Sequence, residues 1–287
     1  MKIQEQAPAK INLALNILGR RTDGYHELRM VMQSVSLCDT VTVEETGTGF
    51  TLLADGFTVP AGKSSLEQQA AEAFFAAVGR PMPPLTVHLE KTTPAYAGLG
   101  GGSADVAALL RCLRRQYAPE MPVEQLRAIG LTVGSDMPFC VSGGTALAEG
   151  RGERLTALPA LPDCWIVLCK PEFGIPTPAL FTLADAGTPK NRPDIDGMIR
   201  ALSAGDLDGV AARLCNVFEE FLPEEYHEVF HIKNRLLELG ALNAAMSGSG
   251  PTVFGIFREE AAAKAAETAL KRRYPQTYLA KPVGELV

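Results

Sequence analysis

The pattern of hydrophobic and polar positions changes along the chain, and each change predicts a different kind of element. Apolar and polar residues alternate with a period of two in much of the first half, which predicts strands. A period near 3.6 in the stretches between and after them predicts helices. The predicted strands of the first half are Ile11 to Leu18, Met30 to Leu37, Thr40 to Glu45, Phe50 to Ala54 and Leu85 to Leu89.

A helix is predicted from Leu66 to Val78, before the last of these strands. Ser64 and Glu67 have the spacing of a capping box at its start, and Gly79 follows its end. The preceding segment, 56–64, ends in Gly-Lys-Ser like a P-loop, but five residues separate its glycines where that motif has four. We therefore do not interpret it as a nucleotide-binding loop.

The most informative break in the pattern is a glycine-rich segment, Pro94 to Asp105 (PAYAGLGGGSAD). Val106, Leu109, Leu110 and Leu113 share one helical face, so a helix begins directly after the glycines. A helix N-terminus presents free N–H groups and the positive end of the helix dipole, and glycine lets a phosphate approach the backbone. The segment therefore predicts a phosphate-binding loop, whereas an isolated run of glycines would equally be a flexible turn.

A second unit is predicted after residue 150. Its predicted elements are a strand from Trp165 to Lys170, a helix from Glu224 to Leu239, a strand from Ala241 to Met246, a turn SGSGP, a strand from Thr252 to Phe257 and a helix from Glu259 to Arg273. We therefore predict an α+β protein with two domains, residues 1–150 and 151–287. The first domain contains a mixed sheet with helices, and the second a compact sheet with helices on one face.

Composition narrows the function mainly by exclusion. The net charge of −6 over 287 residues provides no general attraction for nucleic acid or for an anionic membrane. No segment has the length of a signal peptide's apolar core or of a membrane span, so we expect a cytoplasmic protein. The six cysteines include no C-x-x-C pair and are expected to be reduced thiols.

Three separated segments together resemble one superfamily. They are Ala7 to Tyr25 (APAKINLALNILGRRTDGY), the glycine-rich segment, and Ala245 to Gly255 (AMSGSGPTVFG). They are similar to the three motifs of the galactokinase, homoserine kinase, mevalonate kinase and phosphomevalonate kinase superfamily. The resemblance implies a two-domain small-molecule kinase fold, with a Gly-Leu-Gly phosphate loop in the N-terminal domain and a ferredoxin-like α/β sandwich in the C-terminal domain.

The same resemblance implies ATP as phosphate donor, with Mg²⁺ carried by the nucleotide and no metal held by the protein alone. The implied ATP-binding residues are Pro94, Ala95, Tyr96, Ala97, Gly98, Leu99, Gly100, Gly101, Gly102, Ser103 and Ala104.

This loop departs from the family pattern at two places. Ala104 stands where a second Ser is usual, and Tyr96 and Ala97 stand where smaller residues are common. Backbone donors are kept, but a second hydroxyl at the phosphate is lost. Ser103 could either cap the helix or donate to a phosphate.

The resemblance also implies the catalytic pair. Asp136, in GSDMPF, matches the family's catalytic aspartate, which can accept the proton of the acceptor hydroxyl. Lys10 matches the lysine beside it, which can stabilise negative charge on the transferring group. Asn12 follows two residues later on the same strand face and can bind Lys10 or the substrate. The third motif contributes a supporting turn made of Ser247, Gly248, Ser249 and Gly250.

Further segments, DGYHEL, IPTPALF and VGSDMPFCVSGGTALAEGRGE, resemble the branch of the superfamily that phosphorylates a small cytidyl substrate in the non-mevalonate isoprenoid pathway. The resemblance implies transfer to the 2-hydroxyl of a methylerythritol moiety. Tyr25 and His26 would line the cytidine site, with Phe181 across the base and Thr177 nearby. Aromatic faces suit a planar base. We expect a monomer or weak homodimer that binds neither nucleic acid nor membrane.

Three other functions stay open on the residues alone. One is a kinase of the same superfamily acting on homoserine or a mevalonate derivative, and another is a catalytically silent binding relative. The third is a zinc hydrolase, because His227 to His231 (HEVFH) has the matching spacing, although no later His could be a third ligand. Amphipathicity alone explains this helix, with Tyr226, Phe230 and Leu237 expected to face inward.

Overall fold

A computed structural model describes residues 2–55, 57–58 and 64–287 of the chain. The segment that resembles a P-loop lies largely outside these residues. Within them, no helix combines the length and the apolar character needed to cross a membrane. All six cysteines are described and are free thiols, as expected.

Two long antiparallel strands, β1 (Lys2–Arg20) and β2 (His26–Glu44), are the centre of the first sheet. The prediction of two separate strands within β2 was wrong. Cys38 and Asp39 pair with Pro8 and Ala7 of β1, so the ladder continues through the polar break. The Asp39 carboxylate is buried there because it accepts hydrogen bonds from backbone N–H groups of a neighbouring loop.

The remaining strands of this sheet are β3 (Phe50–Ala54), β4 (Phe57–Thr58), β5 (Leu85–Glu90), β6 (Thr145–Gly150), β7 (Arg154–Ala157) and β9 (Cys215–Asn216). The path is β4-β3-β5-β2-β1-β9, with β6 joining β2 and β7 joining β6. The pairs β3–β5 and β1–β9 are parallel, so the sheet is mixed, as predicted. Since β7 and β9 both follow residue 150 yet complete this sheet, the division at that residue stays a prediction.

Four helices accompany the first sheet: α1 (Leu66–Ala77), α2 (Gly101–Tyr117), α3 (Val123–Leu131) and α4 (Met137–Ser142). The predicted capping box of α1 was wrong by one residue. Ser65, not Ser64, is the N-cap, and its hydroxyl accepts a hydrogen bond from Gln68 N at 3.1 Å.

The second sheet is antiparallel and consists of β8 (Trp165–Cys169), β10 (Asn243–Met246), β11 (Val253–Phe257) and β12 (Thr277–Ala280). Its order, β10-β11-β8-β12, has the ferredoxin-like topology. The helices of this half are α5 (Thr177–Asp185), α6 (Ile195–Ser203), α7 (Leu207–Ala211), α8 (Glu228–Glu238) and α9 (Glu260–Lys271), with 3₁₀ turns at Val217–Phe221 and Glu224–Tyr226. Two sheets with these helices confirm the α+β class.

The inward face of α8 agrees with the expectation in part, since Tyr226 and Phe230 are half-buried against the core. Val229, Ile232 and Leu236 are its buried residues, whereas Leu237 is 40% exposed. Leu236, four residues after Ile232, takes the inward position of the last turn, so its neighbour Leu237 lies outside the buried face.

One apolar cluster holds the two halves together. Ile11 of β1, Ala97 and Leu99 of the glycine-rich segment, and Ala245 and Phe254 of the second sheet are all buried in it. The glycine-rich segment is therefore fixed where the two sheets meet, which positions the site described next.

Candidate active site

Lys10 and Asp136 come together from distant parts of the sequence. Lys10 lies on β1 and Asp136 is the N-cap residue of α4, and the Lys10 ammonium is 3.6 Å from the Asp136 carboxylate. The same ammonium donates a hydrogen bond to Asn12 Oδ1 at 2.8 Å. Only 6% of the Lys10 side chain is exposed, so the ammonium is held in one position between Asn12 and Asp136.

The glycine-rich segment passes directly beside Lys10. The Lys10 backbone N–H donates to the Leu99 carbonyl at 2.9 Å, and a Cβ on Gly100 would lie 3.0 Å from Lys10 Cγ. Gly100 has φ 67° and is the N-cap residue of α2, which confirms that the helix begins at the glycines. Ser103 lies in the first turn and makes no capping hydrogen bond, so the capping role is wrong. The N–H groups of the first turn of α2 therefore lie close to the Lys10 side chain.

The third motif, Ser247 to Gly250, is closely packed against the glycine-rich segment. The Ser247 hydroxyl donates to the Gly98 carbonyl at 2.9 Å, and a Cβ on Gly98 would overlap the Ser247 carbonyl oxygen. A Cβ on Gly248 would lie 3.1 Å from Lys10 Nζ. Gly98 and Gly248 have φ of 73° and 56°, which glycine adopts readily. The three motifs therefore meet at one point.

Asn216 holds the third motif in place, and the sequence reasoning missed it. Its buried amide donates to the Met246 and Gly248 carbonyls, both at 2.8 Å, and its Oδ1 accepts from Phe218 N at 3.0 Å. Asn216 also pairs with Leu15 of β1. Its local sequence, LCNVFEE, contains no signal for this role because its partners are distant carbonyls.

A buried charge cluster lies beneath the glycines and was also missed. Lys91 contacts the carboxylates of Asp39 and Asp105, and Asp39 Oδ1 accepts from Thr92 N and Thr93 N at 2.6 and 2.7 Å. Burial raises the pKa of Asp105 to about 7, against the opposing charge of Lys91. Asp39 shares a strand face with the core residues Val41 and Val43, which was the available signal. The cluster ties β2 to the start of α2.

Of the predicted cytidine-binding residues, His26 and Phe181 contact each other, and Tyr25 lies at the surface. His26 stacks on Phe181 with ring centroids 4.3 Å apart, and His26 Nε2 is 2.7 Å from Asp185 Oδ1. Phe181 in turn meets the edge of Phe218 at 5.0 Å. Tyr25 is 50% exposed. The structure thus brings His26 directly onto Phe181, and the sequence reasoning missed Asp185.

Two further predicted residues have contrasting surroundings. Thr177 Oγ1 and Ser249 Oγ are 2.7 Å apart, so a predicted substrate residue contacts the third motif. Tyr96 is 85% exposed with φ 51°, a conformation rare for a residue with a side chain. A Cβ on Gly174 of the second half would lie 3.1 Å from Tyr96 Cβ.

The HEVFH segment lies at the start of α8. His227 is the N-cap residue, and both His227 and His231 are exposed. In residues 2–55 and 64–287 we find no group of three or more His, Cys, Asp or Glu side chains arranged to hold a metal ion.

Comparison with known proteins defines the class first. The model for the GHMP kinases N terminal domain matches residues 65–144, and that for the GHMP kinases C terminal matches residues 198–276. The homoserine kinase from Cytophaga hutchinsonii has the same fold, with a TM-score of 0.76 at 17% identity over 99% of this chain and 95% of its own. Fold and site therefore define a GHMP kinase, a class of ATP-dependent enzymes.

More similar relatives narrow the class. The protein of Moorella thermoacetica named 4-diphosphocytidyl-2-C-methyl-D-erythritol kinase is 42% identical over 96% of this chain and 97% of its own. The Listeria monocytogenes protein of the same name is 39% identical over 99% and 97%. A crystal structure of 4-(cytidine 5'-diphospho)-2C-methyl-D-erythritol kinase has a TM-score of 0.82 at 32% identity, covering 98% of this chain and 100% of its own.

This chain belongs to the 4-diphosphocytidyl-2-C-methyl-D-erythritol kinase family. The predicted kinase activity and the two-domain small-molecule kinase fold are confirmed. The roles assigned to individual site residues stay predictions.

Proposed function

We propose that this kinase transfers the γ-phosphoryl group of ATP to the 2-hydroxyl of 4-diphosphocytidyl-2-C-methyl-D-erythritol, a step of the non-mevalonate isoprenoid precursor pathway. The observation that carries the proposal is the Lys10 ammonium, 3.6 Å from the Asp136 carboxylate at the point where the glycine-rich segment and the third motif meet. The names of the curated relatives supply the acceptor.

The donor end fits a nucleotide phosphate. Gly100 to Gly102 begin α2, whose first-turn N–H groups and dipole favour an anion. A Cβ on Gly102 would meet nothing within 4 Å, so the approach to the backbone is open on that side. ATP supplies the phosphoryl group, and Mg²⁺ arrives with the nucleotide.

At the transfer end, Asp136 accepts the proton of the 2-hydroxyl while that oxygen bonds to the γ-phosphorus. The bond from phosphorus to the β–γ bridging oxygen breaks, and ADP leaves. Lys10 stabilises the negative charge that is shared by the transferring oxygens. Asn12 fixes the ammonium by accepting its hydrogen bond, so Lys10 needs no rearrangement during transfer.

At the acceptor end, Tyr25 and Phe181 flank the cytosine ring. His26 covers a face of Phe181, so the base enters by displacing the imidazole. His26 is then free to bind the polar edge of the base in exchange for Asp185. Homoserine and mevalonate have no aromatic ring that could stack on Tyr25 and Phe181.

The test measures ADP release by the purified protein with Mg-ATP and each of three acceptors: the diphosphocytidyl methylerythritol, homoserine and mevalonate. We expect turnover with the cytidyl acceptor alone, and loss of that turnover in Asp136→Asn. Asp163→Asn is the matched control, because Asp163 is an exposed carboxylate paired with Lys281. Turnover with another acceptor would overturn the cytidine site, and turnover with none would overturn the proposal.

A further inference from the structure

Arg151 is held in a tight turn between β6 and β7, at the rim of the acceptor end. Gly150 and Gly152 on either side have φ of 74° and 116°. The Arg151 backbone N–H donates to the Glu153 carboxylate at 2.5 Å. The turn is therefore fixed by its own residues, and the side chain is free to serve another purpose.

The Arg151 guanidinium lies over the Tyr25 ring, 4.4 Å from its centroid. Within the described ranges no carboxylate lies within 4 Å of it, whereas Arg21, Arg29 and Arg154 are each ion-paired. A cation–π contact positions a guanidinium without neutralising it. Arg151 thus presents a positive charge at a defined place.

Asp23 is the acidic group that Arg151 influences from a longer distance. Desolvation raises the pKa of Asp23, but hydrogen bonds from Tyr25 N and Arg21 outweigh it and lower the pKa. The charge of Arg151 lowers it further. Since Asp23 is engaged with Tyr25 and Arg21, it leaves the guanidinium of Arg151 available.

Arg151 also lies between Tyr25 at the acceptor end and the segment before Asp136 at the transfer end. On one side it covers Tyr25, and on the other a Cβ on its neighbour Gly152 would lie 3.3 Å from the carbonyl oxygen of Ser135, the residue before Asp136. In the acceptor of the proposed function, the diphosphate lies between the cytidine and the alcohol that reacts. The charge of Arg151 is opposite to that of the diphosphate.

We propose that Arg151 is a specificity residue that binds the diphosphate of the acceptor, with its guanidinium stacked on Tyr25 and its N–H groups donating to phosphate oxygens. This inference rests on the proposed function. Planar guanidinium groups bind phosphate oxygens in pairs, and such charge-assisted hydrogen bonds are the stronger ones.

The experiment compares cytidine and CDP as ligands of the full-length protein, with the nucleotide site saturated by a non-hydrolysable ATP analogue. Affinities are measured by calorimetry for the parent, Arg151→Gln, Arg151→Lys and Arg154→Gln. Arg154→Gln is the matched control, because this nearby arginine is already paired with Glu27. Thermal unfolding verifies that each variant is folded.

We expect the parent to bind CDP more tightly than cytidine. In Arg151→Gln the affinity for CDP should fall about tenfold with cytidine binding within about twofold, as for loss of one charge-assisted contact. Arg151→Lys should recover part of the loss, and Arg154→Gln should change neither affinity. Equal losses for both ligands would overturn diphosphate binding and leave Arg151 as a support for Tyr25, and unchanged CDP binding would also overturn it. A parent that binds neither ligand would instead refute the proposed function.

Discussion

The two ends of the active site are built in opposite ways. The transfer end is closed: Lys10 is almost fully buried, Gly98 has no room for a side chain, and Gly248 has little. The acceptor end is open: Tyr25 is half exposed, and Arg151 presents a charge that no carboxylate in the described residues contacts. One end is held by backbone contacts between distant segments, and the other by side chains at a rim.

This difference follows from the function proposed for each end, which is phosphoryl transfer at one and substrate recognition at the other. Phosphoryl transfer requires a few groups in a fixed arrangement, so close packing of the three motifs is an advantage. Recognition of a base and a diphosphate needs planar faces and charge, which exposed side chains supply and can rearrange. Substitutions at the closed end should therefore alter kcat or folding, and those at the open end should alter KM.

The largest effect is expected from Asp136→Asn. The amide cannot accept the hydroxyl proton, so kcat should fall by about a thousandfold. ATP affinity should stay within about twofold, because the glycine-rich segment is unchanged. Steady-state kinetics and a nucleotide titration measure both, with Asp163→Asn as control. An equal loss of ATP binding would contradict the role of Asp136 in proton transfer.

Gly98→Ala should break the contact between the glycine-rich segment and the third motif. The new Cβ overlaps the Ser247 carbonyl, and φ of 73° is strained for alanine, so we expect a loss of about 3 kcal/mol in the free energy of unfolding. Urea denaturation measures it. Gly284→Ala is the control, because a Cβ there meets nothing within 4 Å. Similar stability of both variants would show that the closed end tolerates movement.

Tyr25→Ala should affect recognition alone. Loss of one aromatic face should raise KM for the cytidyl acceptor about tenfold while kcat changes little. Tyr25→Phe keeps the face and should behave like the parent, since only the hydroxyl is removed. A fall in kcat at unchanged KM would place Tyr25 with the transfer end and remove the contrast between the two ends.

The last prediction concerns Asp105 beneath the glycines, which should make the stability of the protein depend on pH. Its folded pKa of about 7 lies above the ordinary value of 3.8, so its contribution to stability is complete below pH 4 and is lost as the pH rises to 7. We expect the free energy of unfolding to decrease over this range, and to decrease less in Asp105→Asn. Urea denaturation at a series of pH values measures the difference between the two proteins. Parallel curves would contradict it.

Local patterns predicted most elements but erred where distant contacts decide. The strand pattern stopped at Cys38 and Asp39, although pairing with β1 carries β2 through them. Leu237 has the apolar character expected of an inward position, yet Leu236 takes that position and Leu237 is exposed. The periodicity of a segment reflects only its own residues, whereas the structure at these positions depends on the segments that pack against it.

By itself, the sequence determined the α+β class, the start of α2 at the glycines and, through its three motifs, the kinase family. These follow from local backbone preferences and from segments that can be read in isolation. Only the tertiary structure decided that Asn216 holds the third motif, that Lys91 joins Asp39 to Asp105, and that Arg151 covers Tyr25. Each of these contacts joins residues far apart in the chain, so no local pattern contains it. Strand pairing in the first sheet and the packing of α2 and the second sheet against it bring the partners together.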